Sequence, residues 1–392
     1  MGEFRQIGRI DIPGGGQVTV QGNYAYVGHM GPPHGTSILD VSDPKHPRVV
    51  SEVSVPKHTH SHKVRVHGDT MLVNYEQFGR LDPEFRGGMK IFDISDKAKP
   101  QEIAFFQCDG GGMHRFDYDG QYAYISPQVH GWYGNVMMIV DVKNPREPKE
   151  VSRWWLPGQW IAGGEHPTWQ NARHRCHHPL RFGNRLYTSY WHAGFVILDI
   201  DDITKPKLVS HVDWSPPFPC PTHTAIPLPK TIGGHRFMVV TDEEVSDRLA
   251  PTPAAFLWIV DITDETNPVP VSNFRVPSDK PFDSEKWFGA HQPQEQIEDT
   301  MLFVTWFAGG LRGIDVSDPY LPKEVAHYMP SPGKGQSIVQ SNDVFYDRNT
   351  GLIYVLDRLN GLDIVEFRAR GGLRRSCPRA ASPHGRRCAP GG

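Results

Sequence analysis

Gly88-Met89-Lys90-Ile91-Phe92-Asp93-Ile94-Ser95-Asp96, with Pro100 four residues on, is an apolar run that ends in an aspartate turn. Six relatives occur elsewhere in the chain: Ser37-Ile38-Leu39-Asp40-Val41-Ser42-Asp43-Pro44, Met138-Ile139-Val140-Asp141-Val142, Val196-Ile197-Leu198-Asp199-Ile200, Trp258-Ile259-Val260-Asp261-Ile262, Arg312-Gly313-Ile314-Asp315-Val316-Ser317-Asp318-Pro319 and Gly361-Leu362-Asp363-Ile364-Val365. Their aspartates are 53, 48, 58, 62, 54 and 48 residues apart. Self-similarity at a nearly fixed period is the mark of a repeat architecture.

Each repeat has the same parts. An opening segment, often starting with histidine, comes first, then a short run such as Met71-Leu72-Val73 or Tyr122-Ala123-Tyr124-Ile125, then the Asp-centred run, then a turn and a last run such as Arg48-Val49-Val50-Ser51-Glu52-Val53. These runs are β-branched and aromatic and are bounded by Gly, Pro, Asp and Asn, which is strand chemistry. Helix-period stretches are absent, and 39 Gly and 35 Pro suit many turns. Four strands per repeat predict the blade of a propeller, and seven aspartates predict seven blades. The seventh repeat lacks its last strand. Gln6-Ile7-Gly8-Arg9-Ile10-Asp11-Ile12-Pro13 reads like that missing strand, so the expected fold is an all-β, seven-bladed β-propeller closed by an N-terminal strand. The aspartates themselves are read as structural turn residues.

The runs Ile139-Val140-Asp141-Val142 and Leu198-Asp199-Ile200, with the proline downstream, resemble the LVIVD-repeat β-propeller family over residues 4–367. That resemblance implies the fold and little about activity. In layout the chain is also similar to carotenoid oxygenases, which hold iron with four axial histidines, and to the histidine-rich selenium-binding proteins that include methanethiol oxidases. No motif of either is matched residue by residue.

One propeller domain (residues 1–367) and a basic, disordered tail (residues 368–392) are expected. The tail holds seven Arg and no acid, leaving 34 basic and 44 acidic residues before it. An acidic body argues against nucleic acid as a partner. No apolar run is long enough to span a membrane, and no signal peptide is read at the start. Five widely spaced cysteines do not make a disulfide framework, so a cytoplasmic location is expected.

Histidines recur where innermost strands begin: His58-Thr59-His60-Ser61-His62, His114, His174-Arg175-Cys176-His177-His178, His223 and His291. Rotation about the propeller axis would bring these to one height around the channel. His62, His114, His177, His223 and His291 are therefore candidate ligands of one divalent metal ion, Fe or Cu being favoured and Zn or Mn the alternatives. Side chains alternate along a strand, so His177 and His178 cannot both face inward. Residues just after each second strand should reach the same face. Glu76 and Glu243 are the candidate general bases or partners of ligand imidazoles, with Glu244 a third acidic candidate. His60, His178, His192, Trp191 and Trp306 are candidate pocket residues, with Trp132, Tyr133 and Phe307 as further aromatic lining. Cys176 and Cys220 stand beside ring histidines and are lesser candidates for ligand or nucleophile. His67 and His211 fall outside the ring phase and are read as surface residues.

The reading is a metal-dependent enzyme acting on a small, aromatic or apolar organic molecule. Oxidative chemistry is favoured over hydrolysis or elimination, and a non-enzymatic scaffold for protein partners is the alternative. Gly-x-Ser-x-Gly, Walker A and dinucleotide motifs are absent.

Overall fold

The computed structural model describes residues 2–77, 82–170, 172–215, 217–246, 248–251, 253–277 and 287–369. Strands form seven antiparallel sheets, six of four strands and one of three, arranged as the blades of a propeller. Among the described residues the only helix is a single 3₁₀ turn, Ile161–Gly163. The first blade is typical: Gly15–Gln21, Tyr24–His29, His34–Asp40 and Arg48–Ser54 pair in chain order, from the axis outward. The innermost strands of neighbouring blades, such as Met113–Tyr118 and His178–Phe182, stand side by side around the channel. Apolar side chains on the two faces of each sheet pack against the next blade, and the largest such cluster joins Phe195, Trp214, Trp258 and Trp306.

The repeated aspartate ends the third strand and closes a turn. Its Oδ1 accepts the backbone N–H two residues on: Asp40 from Ser42 at 2.9 Å, Asp93 from Ser95 at 2.9 Å, Asp199 from Asp201 at 2.8 Å, Asp315 from Ser317 at 2.8 Å. This Asx turn is why aspartate recurs at that phase. The pairing of third and fourth strands slips by one residue at one place in six blades, for example between Ile38 and Leu39 and between Ile139 and Val140. At three of these bulges a serine hydroxyl donates to a carbonyl in the next blade: Ser51 to Lys97 at 2.7 Å, Ser152 to Ile203 at 2.7 Å, Ser272 to Pro319 at 2.6 Å.

The seventh blade closes as the sequence pattern predicts, with a longer strand. Gly2–Pro13 pairs antiparallel with Asn360–Ala369 outside Leu352–Asp357 and Ser341–Tyr346. The seventh aspartate has a different duty. Asp363 is buried and accepts Arg9 Nη1 at 2.8 Å, Gln6 Nε2 at 3.0 Å and Tyr328 Oη at 3.1 Å, which ties the closing strand to its blade and to the blade before. Arg368 and Ala369 end the last strand, and the rest of the basic tail lies outside the described residues.

The sixth blade has three regular strands, Met301–Thr305, Leu311–Asp315 and Lys323–Tyr328. Its innermost segment carries Pro293, which has no N–H to give a ladder. His291 N–H still donates to Thr305 O at 3.1 Å and Gln294 N–H to Phe303 O at 2.9 Å, so the segment keeps its position at the axis.

Candidate metal centre

His62, His114, His177, His223 and His291 come together in the order of their blades. Consecutive ring centroids are 4.9, 4.8, 4.8 and 4.0 Å apart, and all five residues are buried. They form an arc rather than a closed ring. Blades seven and one fill the gap with Asn342, whose Nδ2 donates to Gly16 O at 2.9 Å. Gly16 must lack a side chain, because a Cβ there would lie 2.6 Å from Cβ of His62.

Hydrogen bonds orient the rings. Nδ1 of His177 faces the carbonyl of His223 at 2.9 Å, and Nδ1 of His291 faces the carbonyl of Asn342. A carbonyl only accepts, so both Nδ1 atoms carry the proton and both Nε2 atoms present a lone pair. Nδ1 of His223 meets the Thr224 hydroxyl at 2.8 Å, and that hydroxyl also lies 3.1 Å from Gln292 Oε1 and 3.1 Å from His178 Nδ1. His114 Nδ1 lies 2.6 Å from Glu76 Oε2, and its Nε2 lies 3.0 Å from Nε2 of His177. Two lone pairs at that separation need one positive particle between or beside them. A proton drawn from the Glu76–His114 couple can supply it, and so can a metal ion: with bonds of about 2.1 Å, nitrogens at right angles are about 3.0 Å apart.

Glu243 is in the same cluster. Its carboxylate oxygens lie 3.8 Å from Nε2 of His223 and 3.5 Å from Nε2 of His291. One ligand atom each from His177, His223 and Glu243 lies within 4.8 Å of the others. His60, His62 and Glu76 make a second group by the same measure. There the rings of His60 and His62 are stacked, 3.8 Å apart and tilted by 24°, which aims their nitrogens alongside one another instead of at a shared point. His60 Nδ1 also faces Met30 O at 2.6 Å.

Burial pushes the buried histidines toward the neutral form, His291 to about 4 and His60 to about 3, and His62, His114, His177 and His223 well below the ordinary range. The two carboxyls are driven apart. Burial raises Glu76, so it holds a proton readily. Burial also opposes ionisation of Glu243, but a proton shared with His291 Nε2 and the charge of Arg358 outweigh it, so its acidity is raised where that of Glu76 is lowered.

A cavity of about 250 Å³ lies against the arc. Trp191 and Trp287 line it, together with Lys63, Arg115, Arg175 and Arg358, and Glu243 is the one acid among the described lining residues. Trp191 and Phe307, at equivalent turns of blades four and six, have φ of 44° and 43°, a costly backbone region for large side chains. Their rings lie 4.7 Å from His177 and 4.6 Å from His291.

Several expected pocket residues are elsewhere. Trp306 packs in the inter-blade core against Phe274, because the strand pleat turns it away from the axis. Trp132 and Tyr133 belong to an outer aromatic cluster with Trp155, Trp160 and Trp169. His192 is buried and its Nδ1 accepts the Arg173 N–H at 2.9 Å, so it holds a loop. His178 lies deeper in the channel, where Arg115 donates to its Nδ1 at 3.0 Å; alternation sent it off the arc occupied by His177. Glu244 accepts Ala255 N–H at 2.7 Å and pairs with Arg248, stapling a loop. Cys176 is buried in a core cluster, and burial raises both it and Cys220, which are unreactive as thiols there. His67 and His211 are exposed, as expected.

Residues 15–55, 118–154 and 182–213 match the LVIVD repeat. The chain carries LVIVD repeats on a seven-bladed propeller. Its matched segments fall in blades one, three and four. No curated protein matches the chain. Among solved structures it is similar to Raptor of Chaetomium thermophilum, with TM-score 0.59 and 12% identity over 92% of this chain but 29% of that one. A protein from Lactobacillus plantarum gives TM-score 0.58 and 12% identity, covering 91% and 89% of the two chains. A chain of an S. cerevisiae complex of Dbp5 with Nup159 and Gle1 gives 0.55 and 12%, covering 94% and 96%. At these identities the likeness concerns the LVIVD propeller's fold alone.

Proposed function

We propose that His177, His223 and Glu243 hold one divalent metal ion with His114, 3.0 Å from His177, as a further donor and His291 beside them, and that the protein is a metalloenzyme acting on a small organic molecule in the adjoining cavity. The observation that carries this reading is the convergence of Nε2 lone pairs on an ionised, buried carboxylate. Imidazoles together with one carboxylate are a donor set that suits iron and O₂ chemistry, so oxidation is favoured over hydrolysis or elimination. Such an ion would supply a binding point for oxygen or substrate and stabilise developing negative charge.

The remaining roles belong to the chain. Glu76 orients His114 through Nδ1, the usual way an outer carboxylate fixes a ligand imidazole. Glu243, the acid that lines the cavity, can exchange a proton with substrate, and Glu76 acts only through His114. Trp191 and Phe307 pack on ligand rings and limit their rotation.

Metal content per chain, measured by plasma mass spectrometry on purified and reconstituted protein, tests the proposal. About one equivalent of Fe or Cu leads to oxygen-consumption assays. Zn or Mn redirects the search to hydrolysis and elimination. No metal after reconstitution with each ion overturns the reading in favour of a binding scaffold.

A further inference from the structure

The fifth residue of each second strand is, from blade one to blade seven, Gly28, Asn74, Ser126, Ser189, Thr241, Thr305 and Leu356. The polar five are buried, and they fall in the blades that carry an arc histidine. They bond in two directions. Within the blade they accept the N–H of the residue after that histidine: Lys63 to Asn74 Oδ1 at 2.8 Å, Arg115 to Ser126 Oγ at 2.9 Å, His178 to Ser189 Oγ at 3.2 Å and Gln292 to Thr305 Oγ1 at 3.2 Å. Toward the next blade they donate to a carbonyl of its innermost strand: Asn74 to Met113 at 3.2 Å, Ser189 to His223 at 2.5 Å, Thr241 to His291 at 2.6 Å and Thr305 to Asn342 at 3.0 Å. Ser126 instead returns its hydroxyl to Arg115 O at 2.9 Å. Blades one and seven have neither the histidine nor the polar residue. A Cβ on Gly28 would lie 2.6 Å from the carbonyl carbon of His62, and Leu356 packs in an apolar cluster.

We infer that Asn74, Ser126, Ser189, Thr241 and Thr305 are positioning residues of the arc, and that Ser189 and Thr305 fix arc rings through carbonyls they share with them. Their effect on a metal rests on the centre proposed above. The carbonyl of His223 takes both the Ser189 hydroxyl and the Nδ1–H of His177, and the carbonyl of Asn342 takes both the Thr305 hydroxyl and the Nδ1–H of His291. A carbonyl oxygen has two lone pairs, so it holds both donors at once. Apolar packing between blades is non-directional and leaves neighbouring sheets room to slide. A centre that draws one donor from each blade needs those donors held within about 0.5 Å. Directional bonds from buried side chains remove the slack at the height of the arc. The division among the blades separates this role from ordinary seam bonding: Ser51 also joins two blades, but in blade one, which supplies no arc histidine.

Ser189→Ala and Thr305→Val remove the hydroxyls with little change of shape, and Ser152→Ala removes one from the outer seam as a control. Two readouts are taken on the full chain: imidazole nitrogen–proton spectra of histidine-labelled, chelator-treated protein, and titration with cobalt(II) followed by its visible absorption. The Nδ1–H of His177 in Ser189→Ala, and that of His291 in Thr305→Val, should exchange with water at least tenfold faster than in the parent. Cobalt affinity should fall about 10- to 100-fold in Ser189→Ala, with an altered absorption band. Ser189→Thr should restore both, threonine being the residue at this place in blades five and six. Ser152→Ala should match the parent in both readouts, even where it unfolds more easily in urea. Unchanged ring signals in the folded variants overturn the inference, and so does an equal change in Ser152→Ala. If Ser189→Ala does not fold, Thr305→Val decides by its His291 signal. Changed ring signals in a protein that binds no cobalt uphold the positioning role while removing the metal reading. One cobalt per chain, bound equally by parent and Ser189→Ala, keeps the metal reading and overturns the inference.

Discussion

Nε2 of His114 and Nε2 of His177 lie 3.0 Å apart, with Nδ1 of His177 held by a carbonyl and Nδ1 of His114 by the Glu76 carboxyl on the far side of each ring. A metal ion and a proton compete for that gap. Metal uptake should therefore release about one proton, and affinity should fall as pH is lowered. Calorimetric titration of the metal in buffers of different ionisation enthalpy measures the proton count, and a count of zero contradicts the arrangement.

Removing a donor should remove the metal but leave the blades. His223→Ala and His114→Ala should both bind much less than one equivalent, while His67→Ala, at the exposed far end of its strand, binds like the parent. Glu76→Gln should weaken metal binding about 10- to 100-fold, since it disturbs the orientation of His114 and not the donor set. Unchanged metal content in both histidine variants would remove the model of the centre.

In metal-depleted protein the buried histidines should make stability fall with acid. His291 has its folded value lowered by burial to about 4 from an ordinary 6.5, and His60 to about 3. The unfolded chain takes up protons below pH 6.5 that the fold refuses, so stability is complete above that value and is lost as pH falls toward 4. Urea midpoints from pH 7.5 to 4 give the slope, and a flat profile would show that these rings are reached by water.

The Arg9–Asp363 ion pair spans the seam that closes the ring, beside a second pair between Arg5 and Glu366. Asp363→Ala would leave Arg9, whose side chain is 19% exposed, without its closest partner, and should cost about 3 kcal/mol. Arg9→Ala should cost a similar amount, and the double variant less than the sum. Additive losses in urea denaturation would mean that the pair does not hold the strand.

The fold was legible because its signal is periodic. An Asx turn needs aspartate at one phase of each blade, so Asp40 through Asp315 repeat in register, and Gln6 to Pro13 matches the strand that the seventh repeat lacks. The arc of histidines follows from that phase alone. The cavity's charge was hidden by the same alternation. Lys63 and Arg115 each follow an arc histidine, where a regular strand would send them to the other face, and Arg358 lies in a turn with no repeat partner. That His223-to-Glu243 contact joins two strands of one blade could be anticipated; whether Glu243 or Glu244 turned inward depended on a single residue of register. Trp306 was misassigned for that reason too.

The antiparallel seam that seals the propeller has a mechanical consequence. Gly2 sits directly opposite Ala369, so both ends of the pairing emerge at the same place. Tension applied there would part the seam like a zip, loading one rung at a time from the Gly2 end. Opening would be resisted chiefly at the Arg9–Asp363 clasp, seven residues in, and the remaining blades would feel the force only after that clasp had given way.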